Sequence, residues 1–91
     1  GLGHAHPEVT KTIQQQAAKL IHTSNAFHIK EQELLAEKLT SMAKMEQVFF
    51  ANSGAEANEA AIKLTRLYGH KKGIETPSVI VMERAFHGRT M

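Results

Sequence analysis

The apolar residues of this chain follow two different patterns. In three stretches they recur every three or four positions, which is typical of amphipathic helices. The first stretch begins at Pro7, because proline and a following acid favour a first helical turn, and its apolar positions are Val9, Ile13, Ala17, Leu20 and Ile21. A second helix is predicted over residues 31 to about 44. A third is predicted over residues 55–68, with Gly69 as its stop signal.

Two short runs, residues 48–51 (VFFA) and 78–82 (SVIVM), are continuously apolar and predict β-strands. Neither run alternates polar and apolar residues, so both are expected to be buried on two faces, as in a parallel sheet. With the helix between them they have the length of one βαβ unit. The predicted order is therefore α-α-β-α-β, an α/β fold with helices in residues 1–47 and a βαβ unit in residues 48–91.

Two strands and three helices cannot cover both faces of a parallel sheet. The chain also begins without a methionine and stops directly after a polar motif. We therefore expect these residues to be a piece of a larger α/β protein.

Composition excludes several classes of function. Hydrophobic residues make up 42% and charged residues 22% of the chain, the balance of an ordinary soluble globular protein. No apolar run approaches the roughly 20 residues of a membrane span, and no signal peptide is recognisable. The net charge of +2 is scattered, which argues against a nucleic-acid or membrane surface. The absence of cysteine excludes thiolate chemistry and fits a cytoplasmic location.

The turn after the first predicted strand carries a candidate anion site. Ser53 and Glu56 have the spacing of a capping box. Gly54 and Ala55 leave the first backbone N–H groups of the helix nearly bare, at its positive end. The turn also lies where open α/β folds bind ligands, at the carboxyl end of a strand. A capping box that binds nothing is the common alternative, and the absence of a P-loop lysine or a G-x-G-x-x-G argues against ATP and dinucleotides.

A second motif, residues 85–90 (AFHGRT), follows the second predicted strand. Phe86 offers a flat apolar surface, Gly88 allows close approach, and Arg89 offers a planar fork for a carboxylate or phosphate. Together with the amides of the first motif, these groups suit a flat phosphorylated ring cofactor and an acidic substrate.

The stretches "NSGAEANEAAIKL" and "AFHGRT", with "GLGHAHPEV" and "HTSNAFH", resemble the class III, fold-type I aminotransferases that use pyridoxal 5'-phosphate. The resemblance implies that Ser53, Gly54 and Ala55 hold the cofactor phosphate. It implies that Phe86 stacks on the pyridine ring with His87 nearby. Arg89 would pair with the α-carboxylate of the amino-acid substrate and with 2-oxoglutarate. It also implies a homodimer.

Within that family the residues favour members that move the δ-amino group of N-acetylornithine, a step of arginine biosynthesis. Succinylornithine, ornithine and 4-aminobutyrate are the alternative donors.

The family also needs a lysine that carries the cofactor and an acid, usually Asp, beside the pyridine nitrogen. The chain has no Asp and no matching lysine motif. No catalytic residue is therefore expected in this segment, which is predicted to be inactive alone.

Three further interpretations stay open. His4 and His6 precede a helix and are expected to form a turn rather than a metal site. Phe27 and His28, in the polar loop of residues 22–28, are candidates for contact with substrate, within one subunit or across a dimer interface. A function of another class is a non-catalytic α/β module whose capping turn binds a phosphorylated metabolite.

Overall fold

The computed structural model describes residues 1–90 and contains three helices: α1 (Pro7–Ala17), α2 (Lys30–Ala43) and α3 (Gly54–Lys71). The chain divides into two compact units, Gly1–Glu46 with α1 and α2, and Gln47–Met91 with α3. No helix of residues 1–90 combines the length and the hydrophobicity that crossing a bilayer requires.

Helix α1 begins as predicted and ends early. Pro7 takes the first helical position and Glu8 lies in the first turn. The apolar pattern that continues to Leu20 and Ile21 lies beyond the helix end, so that part of the prediction is wrong. The N–H groups of Lys19 and Leu20 both donate to the Gln16 carbonyl at 2.9 Å. This tight turn ends the helix, because two successive amides share one acceptor.

Helix α2 confirms the prediction to within one residue at each end. It is capped after Ala43 by Lys44, which adopts the left-handed conformation with φ 54° and donates its N–H to the Thr40 carbonyl. In the polar loop before α2, His28 Nδ1 lies 2.7 Å from Glu33 Oε1. This pair links the loop to the first turn of α2.

Helix α3 ends later than predicted. Gly73, with φ 80°, donates to the His70 carbonyl at 2.9 Å, and Ile74 donates to the Gly69 carbonyl at 3.0 Å. This pair of bonds is a Schellman motif, which needs a left-handed residue and therefore favours glycine at position 73. The prediction that Gly69 stops the helix is wrong, because Gly69 lies inside α3 and is buried against Pro77.

The two predicted strands do not form in residues 1–90, where no strand is present. The α-α-β-α-β order and its parallel strands are therefore not seen in this structure. The prediction that both runs are buried is also wrong, since Ile80 is 98% exposed and Phe49 70% exposed. The physical reason is that a strand takes its hydrogen bonds from neighbouring strands, and the two runs form no ladder with each other.

The packing of Pro77 on Gly69 gives a first testable prediction. A Cβ at position 69 would lie 2.6 Å from both Cβ and Cγ of Pro77. We expect Gly69→Ala to destabilise the protein by about 1–3 kcal/mol through overpacking. In a Pro77→Gly background the same substitution should instead stabilise it, by up to about 1 kcal/mol, because alanine favours helix.

Urea unfolding followed by circular dichroism measures both effects. Equal effects of Gly69→Ala in the two backgrounds would contradict the contact.

Candidate functional site

The first turn of α3 is held by a hydrogen-bonded cap. Ser53 Oγ accepts from the Glu56 N–H at 3.2 Å, and the Glu56 carboxylate accepts from the Asn52 N–H at 2.8 Å. The capping box predicted from the sequence is confirmed in its first bond. In its second bond Glu56 reaches one residue further back than the usual motif, past Ser53 to Asn52.

The cap leaves two backbone donors free. Within residues 1–90, the N–H groups of Gly54 and Ala55 donate to no protein acceptor. A Cβ placed on Gly54 would meet nothing within 4 Å, so this side of the turn is open. The Ser53 hydroxyl lies 3.2 Å from Glu56 Oε2 and donates to it. An anion would therefore be bound chiefly by the amides of Gly54 and Ala55, and a phosphate group fits such a turn.

The second motif lies directly on this turn. Gly88 has φ 100°, and a Cβ added there would lie 2.8 Å from Ala55 Cβ and 3.2 Å from Ala55 Cα. A side chain at position 88 is therefore disfavoured both by backbone conformation and by space. The structure thus brings together the two motifs that the sequence singled out, through the contact of Gly88 with Ala55.

The aromatic and cationic groups of the second motif are close together. Arg89 Cζ lies 5.1 Å from the centre of the Phe86 ring, within the range of a cation–π contact. The Phe86 side chain is 72% exposed, so ring surface remains available.

His87 is turned toward α3. Its Nδ1 lies 3.1 Å from the Ala85 carbonyl. With Asn58 and Ile62 of α3 and residues 79–81, it lines a cavity of about 210 Å³. The ring thus faces a cavity that it shares with α3 and the predicted second strand.

Glu59 has a role that the sequence did not reveal. Its salt bridge with Lys63, 3.3 Å long, has the i, i+4 spacing that supports a helix. The Thr90 side chain, and secondarily that of Lys63, hold the pKa of Glu59 below its ordinary value. Glu59 of α3 therefore lies near the end of the second motif. No local spacing could predict this proximity, because Thr90 and Glu59 are distant in sequence.

Comparison with known proteins identifies the family of the chain. The family described as Aminotransferase class-III matches residues 1–91. The chain therefore belongs to the class-III aminotransferase family, and the resemblance noted in the sequence is confirmed. Enzymes of this family depend in general on pyridoxal phosphate and act on amino acids and oxo acids.

Among individual relatives, the acetylornithine aminotransferase of Nitrosomonas europaea is 63% identical over 91 residues, which is 100% of this chain and 23% of the relative. The enzyme of the same name from Gloeobacter violaceus is 53% identical over 91 residues, covering 99% of this chain and 23% of its own length. Acetylornithine aminotransferase 1 of Bordetella parapertussis is 50% identical over 90 residues, with 99% and 23% covered. The chain thus spans about a quarter of the length of these relatives.

The lowered pKa of Glu59 gives a prediction on pH dependence. A carboxyl group with a depressed folded-state pKa stabilises the fold above its ordinary value of 4.5, and that contribution is lost as the pH falls through the folded-state pKa. We therefore expect wild type to be more stable than Glu59→Gln at pH 7, with a difference that shrinks below about pH 4.5.

Urea unfolding of both proteins between pH 3 and pH 7 measures the difference. Thr90→Val serves as the matched variant, because it removes the largest cause of the shift while leaving the carboxyl group in place. A difference between wild type and Glu59→Gln that is independent of pH would refute the interaction.

Proposed function

We propose that this chain is part of an aminotransferase that moves the δ-amino group of N-acetylornithine to 2-oxoglutarate with pyridoxal 5'-phosphate, a step of arginine biosynthesis. The observation that carries the proposal is the first turn of α3, where two free amides lie beside the Phe86 and Arg89 loop. The names of the similar proteins, which are acetylornithine aminotransferases, support the choice of donor.

The groups of this chain fit the cofactor. The amides of Gly54 and Ala55 would bind its phosphate, with Ser53 holding the turn in shape and contributing less directly. Phe86 would lie against the pyridine ring, and His87 would be a neighbour of that ring. When bound, the cofactor acts as the electron sink for amino-group transfer.

Arg89 would bind the carboxylate of the substrates. No carboxylate among residues 1–90 lies in salt-bridge range of its guanidinium. The guanidinium therefore keeps its donors for an external ligand, and its planar fork matches the geometry of a carboxylate. The same group would hold the amino donor in one half-reaction and 2-oxoglutarate in the other.

Two groups that the reaction needs would come from residues of the enzyme outside this segment. The lysine that carries the cofactor and the acid beside the pyridine nitrogen have no candidates in this segment, which we propose is inactive alone.

We propose that residues 48–51 and 78–82 join a parallel sheet in the whole protein, which would cover their exposed apolar side chains. Residues 1–47 would form its N-terminal helices and residues 48–91 the βαβ unit that binds the phosphate. A cytoplasmic homodimer is the proposed assembly.

The identity of the donor can be tested directly. We expect the complete enzyme to use N-acetylornithine with a higher kcat/KM than succinylornithine, ornithine or 4-aminobutyrate, each measured with saturating 2-oxoglutarate. A preference for free ornithine would overturn the choice of donor but not the class of enzyme. Binding of pyridoxal phosphate without amino-group transfer from any of these donors would favour the non-catalytic binding module.

The anion site on α3 has its own test in Gly54→Val, compared with Gly54→Ala. A methyl group at this position meets nothing within 4 Å, whereas the branched side chain of valine would crowd the approach to the amides. We expect Gly54→Val to raise the Kd for pyridoxal phosphate about tenfold or more, the equivalent of one hydrogen bond to a charged group. Gly54→Ala should have a much smaller effect.

Titration of the cofactor-free enzyme with pyridoxal phosphate, followed by absorbance, measures both constants. Unchanged affinity in the valine variant would show that the phosphate is bound elsewhere.

A further inference from the structure

The loop of residues 85–90 is fixed at one point on α3. Gly88 contacts Ala55 so closely that no side chain fits between them. The residues on either side of Gly88 are therefore held at a set distance from the first turn of α3. This contact limits where the side chains of Phe86 and Arg89 can be placed.

Within that loop, Arg89 contacts a ring and no acid. Its Cζ lies 5.1 Å from the centre of the Phe86 ring. The salt bridges of the part of the chain that the structure describes, His28–Glu33 and Lys63–Glu59, do not include Arg89. The ring attracts the cation through its negative face without accepting the in-plane hydrogen bonds that a carboxylate ligand needs. An acidic partner would orient the guanidinium equally well, but it would compete for those donors.

We propose that Phe86 is a positioning residue for Arg89: one face of its ring holds the guanidinium in place for the carboxylate of the substrate, in addition to any contact of the other face with the cofactor. This inference rests on the proposed function, in which Arg89 binds that carboxylate. The affinity of the enzyme for the substrate carboxylate then depends on the negative face of the Phe86 ring.

Equilibrium binding of 2-oxoglutarate to the cofactor-loaded complete enzyme, with no amino donor present, tests the proposal without turnover. Phe86→Leu should raise the Kd about 2- to 30-fold, the range of a cation–π contact. Phe86→Tyr, which keeps an aromatic face, should stay within about twofold of wild type. Pentafluorophenylalanine at position 86 keeps the ring shape and reverses its quadrupole, so it should raise the Kd as leucine does.

A double-mutant cycle with Arg89→Gln separates this role from a general effect on the site. If Phe86 acts through Arg89, Phe86→Leu should change the Kd by less than about twofold once Arg89 is replaced. An equal effect in both backgrounds would overturn the proposal, and so would an unchanged Kd in Phe86→Leu alone. Cofactor absorbance at saturating pyridoxal phosphate confirms that each variant is loaded.

The outcomes also distinguish this inference from the proposed function. If wild type neither binds 2-oxoglutarate nor transfers an amino group to it, both are refuted together. If wild type binds it and transfers the amino group, but the fluorinated ring leaves the Kd unchanged, only the positioning role of Phe86 is refuted.

Discussion

The candidate site depends on the backbone amides of Gly54 and Ala55 having no acceptor within residues 1–90. A helix always begins with donors that its own carbonyls cannot satisfy. Here the cap satisfies the Glu56 amide and leaves the two before it free. The cap also places a carboxylate, that of Glu56, at the same helix end. That charge repels an anion, whereas the hydrogen bond that it accepts from the Asn52 N–H fixes the turn. The Glu56 carboxylate therefore favours anion binding through the shape of the turn and opposes it through its charge.

Small residues hold the second motif in place. Contact between Gly88 and Ala55 brings two backbone segments closer than any larger pair would allow. At the far end of α3, Gly69 and Pro77 make a similar contact. The segment that connects α3 to the second motif is therefore anchored near both ends of the helix. Such anchoring restricts Phe86 and Arg89 without using either side chain for packing, so both stay available for ligands.

Helices and strands differ here because their hydrogen bonds differ in range. Each helix takes its bonds from within its own segment, so α1, α2 and α3 form among neighbours in sequence. The two apolar runs have the composition of strands, yet a parallel ladder needs a correctly placed neighbour and a cover for both faces. No apolar side chain among residues 1–90 is buried, so no hydrophobic core holds these runs. Burial within residues 1–90 therefore does not account for the apolar composition of these two runs.

The sequence by itself determined the three helices, the capping box and the family, because periodicity, Ser53 with Glu56, and the two motifs are local signals. It placed the ends of α1 and α3 wrongly, since those depend on carbonyl sharing at Gln16 and on a left-handed Gly73. The contact of Gly88 with Ala55 and the proximity of Thr90 to Glu59 were decided only by the tertiary structure. They join residues far apart in the chain, and their formation depends on the path of the backbone between them.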